Sequence, residues 1–330
     1  MALLITGAAG YIGSHVLKLV LEKSSKDVTV IDNFSTGTKE RLETLQKIRN
    51  FNVINADLSE GKIVQDVLKD YNIDEIIHFA ASIVVPESVE NPLKYYSNNT
   101  ANTIGLVRAS IEAGVKKFIF SSTAAVYGEP KQVPVSESTP LEPINPYGMS
   151  KLMSERVIRD ASLAHKDFKH VILRYFNVAG AAMDGSIGQS FPNATHLIKV
   201  AAQTALGKRQ VLSIYGDDYP TKDGTCVRDY IHVEDLASAH LKSLEYLDSN
   251  ESDTFNVGYG RGFSVLEVLE AMDRVAGFKI PRKMAPRRAG DPAILISDVN
   301  KIKSLMPWKP QYEDLDKICA SALAWERKIK

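Results

Sequence analysis

Three glycines at a regular spacing, Gly7, Gly10 and Gly13, separate an apolar run, Ala2–Thr6, from a helical stretch over residues 12–23. Glycine at these positions permits a tight turn, a close backbone approach to an anion, and close packing of helix on strand. The helix that follows offers N–H groups and the positive end of its dipole. Strand, glycine turn and helix in that order open a parallel βαβ unit. The rest of the first half continues it. Apolar runs at 28–32, Asn52–Asn55, 75–79 and Lys117–Ser121 alternate with helical periods at 39–48, 62–71 and 92–112. The runs are continuous rather than alternating, as in strands buried on both faces.

The expected fold class is therefore α/β, a doubly wound parallel Rossmann sheet with a smaller α/β substrate-binding domain. A helix at 151–165 and a strand at 170–175 extend the first pattern. After residue 176 the alternation weakens, and Gly, Asp and Pro gather at 179–191 and 216–225. The expected division is a cofactor domain at 1–176 and a substrate domain at 177–330, with the helical stretch 232–246 returning to pack on the first.

With 330 residues the chain has room for two such domains. Its 40 basic and 40 acidic side chains cancel, and each half, 1–175 and 176–330, is itself balanced. Nucleic acid and anionic membranes need a basic excess, so neither is an expected partner. No apolar run approaches the length of a membrane span. The N-terminal MALLITGAAG lacks a basic leader, so no secretory signal is expected. Cys226 and Cys319 cannot build a disulfide framework, which points to a reducing, cytoplasmic setting. No histidine spacing suits a metal, and none is expected.

Asp32 falls at the end of the second strand. A carboxylate there hydrogen-bonds a ribose 2′-hydroxyl and repels a 2′-phosphate, so the expected cofactor is NAD rather than NADP. Asp57, beyond the third strand, is a weaker candidate for the adenosine end. Tyr147 and Lys151 lie four residues apart, behind Asn145 and Pro146. Those two make a good N-cap and first helical residue. The pair then shares one helix face, where an ammonium can lower a phenol pKa. Tyr127 and Lys131 share the spacing, but Gly128 and Pro130 argue against a helix there. Ser121, Ser122 and Thr123 supply hydroxyls at the carboxyl end of the fifth strand.

These residues resemble the extended short-chain dehydrogenase/reductase family and, within it, the UDP-glucose 4-epimerases over nearly the full chain. The matching segments are GAAGYIGSH, VIDN, HFAAS, PLKYYSNNT, KFIFSSTAAVYG, NPYGMSK, LRYFNVAG, YGDDYPTKDGTCVRDYIHV, NVGYG and APRRAGD. The longer late segments are the more specific. The resemblance implies an isomerase that interconverts UDP-glucose and UDP-galactose through a transient 4-keto sugar. NAD would be tightly held and regenerated in each cycle. Tyr147 would act as the base, Lys151 would bind the nicotinamide ribose, and Thr123 would hydrogen-bond the sugar 4-oxygen. The implied cofactor residues are Gly7, Gly10, Tyr11, Ile12, Gly13, Asp32, Asn33, Asp57 and Leu58, with Phe79, Ala80, Ala81, Asn98, Ser121 and Tyr175. The implied UDP-sugar residues are Asn177, His196, Leu197, Tyr215, Arg228, Arg288, Asp291 and Leu295, beside Thr123 and Tyr147. The two arginines would grip the diphosphate, and Arg282 and Arg287 are read as solvated surface charges. A homodimer built on helices near 92–112 and 150–164 is also implied.

Three positions depart from the family pattern. Ile83 replaces a lysine near the cofactor, and His196 replaces an asparagine of the uridine site. Leu295 replaces a tyrosine set against the sugar 2-position. Leucine is smaller, so UDP-GlcNAc and UDP-GalNAc become expected substrates. Two rivals remain. A nucleotide-sugar 4,6-dehydratase needs an acid pair directly after the strand-end Thr, whereas Ala124 and Ala125 follow here. A non-catalytic nucleotide-sensing scaffold on the same fold would have no need of Tyr147 and Lys151.

Overall fold

The computed structural model describes residues 1–191, 195–288 and 291–329. The chain separates into two compact units. The first comprises Met1–Gly128, Leu141–Arg174 and Ala237–Phe255; the second comprises Glu129–Pro140, Tyr175–Leu236 and Asn256–Lys330.

In the first unit the strands are β1 (Ala2–Thr6), β2 (Asp27–Asp32), β3 (Asn52–Asn55), β4 (Ile73–His78), β5 (Lys117–Ser121) and β6 (Lys169–Tyr175). The helices between them are α1 (Tyr11–Lys23), α2 (Lys39–Gln46), α3 (Gly61–Asp70), α4 (Val85–Glu90), α5 (Pro92–Tyr95), α6 (Asn102–Ala113) and α7 (Pro146–Ala164). The stretch read as one helix over 92–112 carries a π turn, Tyr96–Ala101, between α5 and α6. Extra residues of this kind collect at functional sites.

β1 pairs in parallel with β2 on one side and β4 on the other. The whole order is β10-β6-β5-β4-β1-β2-β3, where β10 is Asp253–Val257. The order therefore reverses between β1 and β4, and the crevice beyond their carboxyl ends is where such sheets bind ligands. Leu4, Ile31, Ile76, Phe118, Phe120 and Ile172 are buried together, which is why the strands read as unbroken apolar runs.

The second unit holds β7 (Asn177–Ala179), β8 (Leu212–Tyr215), β9 (Val227–His232), β11 (Gly262–Ser264), β12 (Arg282–Ala285) and β13 (Ile294–Leu295). β9 is its hub: β7 and β13 join it in parallel and β11 antiparallel. β8 and β12 form a separate parallel pair. Its helices are α8 (Leu197–Ala205), α10 (Val265–Ala276), α11 (Asn300–Leu305) and α12 (Leu315–Lys328). The remaining helix, α9 (Val233–Tyr246), belongs to the first unit from Ala237 onward.

The division expected from sequence places residues 129–140 in the first domain; they belong to the second unit. The cause is backbone pairing. Val135 N donates to Ile296 O at 2.8 Å, and Asp298 N donates to Val135 O at 2.8 Å. Such a bridge leaves no trace in local periodicity.

Candidate active site

The glycine turn is shaped by close backbone approach. Gly7 has a φ of +72°, and a Cβ there would lie 2.7 Å from Ala80 N. A Cβ on Gly13 would lie 2.4 Å from Gly7 O. Gly10 is the N-cap of α1 and provides no side-chain cap. The first-turn N–H groups of α1, including those of Ile12 and Gly13, can therefore serve an anion. Asp32 closes the turn from β2: its Oδ2 accepts from Ala9 N and its Oδ1 from Phe34 N, each at 2.8 Å. Burial raises its pKa, while those two bonds and the Arg41 charge oppose the rise. A carboxylate has acceptor sites to spare beyond two bonds, so ribose hydroxyls can still be met.

Arg41, which sequence reasoning missed, is buried and donates to Ala9 O from α2. Asn33 Nδ2 donates to Asp57 Oδ2 at 2.6 Å, and Leu58 is buried beside them. Bonds from Ser59 hold the Asp57 carboxyl below its ordinary range. Tyr11 stands edge-on to His15 with ring centroids 5.3 Å apart. Across the switch point, Phe79 N donates to Thr6 O at 3.0 Å and leads into half-buried Ala80 and Ala81. A turn with no side chain larger than a methyl group, beside a strand-end carboxylate, fits a dinucleotide lacking a 2′-phosphate. Ile83 is 55% exposed, so its side chain faces solvent.

The π turn ties the next pieces together. Asn98 Nδ2 donates to Ser82 Oγ at 3.0 Å. Buried Asn99 accepts from Ser82 N at 2.8 Å and donates to Ser150 Oγ at 3.0 Å. Neither Asn99 nor Ser82 was anticipated.

Asn145 caps α7 by accepting from Gly148 N at 2.9 Å, and Pro146 follows. Tyr147 and Lys151 then sit buried on the first turns. The Thr123 hydroxyl lies beside Tyr147 and lowers its phenol pKa. Lys151 Nζ donates to Ser121 O at 2.9 Å and lies 4.8 Å over the Phe120 ring. One turn on, buried Glu155 accepts from Ser122 Oγ at 2.6 Å and from Arg174 at 2.7 Å. Thr123 Oγ1 also accepts from Ala125 N at 3.1 Å.

The electrostatics differ from the sequence expectation that Lys151 lowers the Tyr147 phenol. Burial dominates both groups. It raises Tyr147, opposed by the Thr123 hydroxyl, and pulls Lys151 down to about 7, opposed by Glu155. The resting phenol is therefore protonated at neutral pH, and the amine is poised between its two forms.

The second unit gathers another set. On β9, Arg228 sits level with Leu295 of β13, and its Nη2 lies 3.5 Å from Asp291 Oδ1. Asn177 on β7 donates to the Asp229 carbonyl at 3.4 Å. Arg288 stacks 3.9 Å over the Tyr215 ring, the geometry of a cation–π contact. Burial raises the thiol of Cys226, which feels the charges of Arg228, Asp291 and Arg288 together. His196 caps α8 just before Leu197, and its Nδ1 lies 3.0 Å from Gln189 Nε2. Tyr175 ends β6, half-buried.

Of the two arginines expected to be solvated surface charges, Arg287 is exposed and Arg282 is not. Arg282 pairs with Asp273 and is largely buried. Arg287 pairs with Asp218 and stacks 4.1 Å over Tyr219. Asp229, also missed, is buried and accepts from Tyr259 N and Gly260 N at 3.0 Å and from Ser297. That clamps β13 to β9, and with it Leu295 beside Arg228.

The family profile described as GDP-mannose 4,6 dehydratase matches residues 4–321. The chain is 49% identical over 328 residues to UDP-glucose 4-epimerase of Azospirillum brasilense, covering 99% of this chain and 92% of that one. It is 57% identical to the solved UDP-Glc/GlcNAc 4-epimerase of Campylobacter jejuni, with a TM-score of 0.88 over 99% of both chains. UDP-glucose 4-epimerase of Bifidobacterium longum, solved in complex with NAD+ and UDP, superposes with a TM-score of 0.95 at 39% identity. That match covers 99% of this chain and 98% of the other. A dehydratase chemistry needs proton-transferring acids directly after Thr123, and the structure has Ala124 and Ala125 there in a short 3₁₀ turn. The profile spans the wider family and carries a dehydratase's description, but the relatives and the site chemistry agree on one placement within it: the chain belongs to the UDP-glucose 4-epimerase family.

Proposed function

We propose that this chain is an NAD-dependent isomerase that interconverts UDP-glucose and UDP-galactose, and also UDP-GlcNAc and UDP-GalNAc, through a transient 4-keto sugar. The observation that carries the reading is the buried Thr123–Tyr147 hydroxyl pair beside Lys151, at the carboxyl end of β5. NAD, held by the glycine turn, Asp32 and Lys151, would supply the redox chemistry that the side chains lack: a hydride acceptor for the sugar C4 that can return the hydride to the opposite face of the sugar. In its deprotonated form Tyr147 takes the 4-hydroxyl proton, becoming the neutral phenol, and gives it back on the return step. Thr123 orients the 4-oxygen through its hydroxyl. Lys151 offers its amine to the nicotinamide ribose while Ser121 O fixes its direction. Arg228 and Arg288 take the diphosphate, where guanidinium geometry suits paired oxygens. Asn177, Tyr215, His196, Leu197 and Asp291 serve the nucleotide.

Leu295 supports the N-acetyl substrates. It is a short apolar side chain on β13, level with Arg228 on β9. A tyrosine at this position would take the space of an N-acetyl group.

The test is a side-by-side assay on UDP-galactose and UDP-GlcNAc, with the products resolved chromatographically. Turnover of both is expected. Leu295→Tyr should lower activity on UDP-GlcNAc by about tenfold or more and spare UDP-galactose, consistent with the weight of one steric contact. Normal activity on UDP-galactose with none on UDP-GlcNAc would sink the N-acetyl reading.

The protein works as a homodimer in the cytoplasm in this reading. Apolar side chains exposed on neighbouring helices support the dimer, including Val89, Leu93, Ile104 and Met153. Two free cysteines, Cys226 and Cys319, are compatible with a reducing compartment.

A further inference from the structure

The carboxyl end of β5 delivers Ser121, Ser122 and Thr123 in succession, and each side chain has its own anchor. Successive strand side chains point to opposite faces. On one face Ser122 Oγ donates to Glu155 of α7. On the other, Ser121 Oγ lies 2.9 Å from His240 Nε2, on the part of α9 that belongs to the first unit. His240 is fully buried, and its ring packs 4.8 Å from the Phe79 ring at a tilt of 43°. One imidazole therefore touches two residues assigned to the cofactor pocket, and one of these carries the carbonyl that holds Lys151.

Docking of α9 does not by itself require this histidine. At the other end of β5, Lys117 Nζ already donates to Leu244 O and to Asp248. An imidazole costs more to bury than a leucine unless its nitrogens are bonded. Its placement against Ser121 and Phe79, rather than among purely apolar neighbours, argues for a role in geometry.

We propose that His240 is a positioning residue for hydride transfer. By fixing the Ser121 hydroxyl and the Phe79 ring, it sets the carbonyl that aims the Lys151 amine and shapes the wall of the nicotinamide pocket. The inference rests on the NAD-dependent epimerase reading. Displacements of an ångström around reacting groups cost rate far more than stability, so the effect belongs in kcat and in cofactor retention.

The test compares His240→Leu, His240→Gln and Ser121→Ala, plus the Leu/Ala double variant, in the full-length protein. Gln places an amide near Nε2 and keeps the bond. His240→Leu should lower kcat on UDP-galactose about 10–100-fold with KM changed less than about twofold. It should also lose NAD about tenfold faster on dialysis, with NAD quantified after denaturation. His240→Gln should recover kcat to within about threefold. Ser121→Ala should act like His240→Leu, and the double variant should be no worse than the worse single one. Wild-type kcat and retention in His240→Leu would overturn the proposal, as would equal losses in Leu and Gln or additive losses in the double variant. If His240→Leu does not fold, the Gln and Ser121→Ala arms decide. A wild-type protein inactive on UDP-galactose would refute the epimerase reading instead, while the retention ratios would still test the positioning.

Discussion

Lys151 keeps an amine where water does not reach, and that has a cost visible outside catalysis. Its folded pKa falls to about 7 through burial, against 10.5 in the unfolded chain. Between those values the unfolded chain binds the proton and the folded chain does not, so stability rises with pH across that window. The burial penalty is complete below about 7 and gone above 10.5. Lys151→Met removes the titration. It also leaves Ser121 O without its donor, a pH-independent cost of about 1 kcal/mol. The melting temperature of the variant relative to wild type should therefore be higher at pH 6.5 than at pH 9.5, by about 3 °C or more. The same variant should lose about a hundredfold or more in rate. A relative melting temperature that is flat or rises with pH would show that burial does not govern this amine. Spacing made Tyr147 and Lys151 legible, because a four-residue step on a capped helix stacks two side chains. Glu155 repeats that step from Lys151, so the same rule could have found it. Arg41, Asp229 and His240 had no local signal, since their partners lie 32, 31 and 119 residues away.

The helices beside the π turn leave apolar groups uncovered. Leu93 is 75% exposed on α5 and Val89 is 63% exposed on α4. Exposed apolar side chains clustered on packed helices suit a second copy of the same chain. If the proposed dimer forms through this face, Val89→Glu with Leu93→Glu should turn it into a monomer in sedimentation velocity at micromolar protein, with little change in melting temperature. A wild-type protein that sediments as a monomer would reject the assembly. The elements themselves were unequally readable. β1, β2, β4, β5 and β6 stood out because strands buried on both faces become largely apolar runs, whereas β3, NVIN at the sheet edge, is exposed or half-buried and rested on its place in the alternation. β10 did not, although it completes the seven-stranded sheet, since its DTFNV sequence mixes polar and apolar residues. The π turn was hidden by the 3.6-residue period on either side of it. In the second unit the strands are as short as Ile294–Leu295, too short to carry any period. Its substrate residues were reached through family segments rather than through patterning.

Across the whole chain, zero net charge hides buried groups whose protonation is tied to folding in opposite senses. His78 and His170 in the first unit and His232 in the second are buried, with pKa values pulled down to about 3, 4 and 4. Burial is the leading cause for each, aided at His78 by the Lys151 charge and at His170 by Arg159. An unfolded histidine titrates near 6.5. From there down to each folded value the unfolded chain holds the extra proton, so stability falls as pH falls. Each histidine contributes a slope of about 1.4 kcal/mol per pH unit within that window. Asp32, Asp229 and Asp235 act in the opposite sense, because burial raises their folded pKa and lets the folded chain take up protons first. The raw acid slope is the difference between these two groups, so only a comparison isolates one member. His78 bonds Thr6 at 2.7 Å and Thr103 at 3.1 Å, contacts that a neutral amide can keep. His78→Gln should lose less stability than wild type between pH 6.5 and 4.5, with the gap widening by about 1.4 kcal/mol per unit in urea unfolding. Parallel curves would mean that His78 already takes up its proton in the folded state. The histidine contribution falls on both units, because each buries at least one imidazole held neutral.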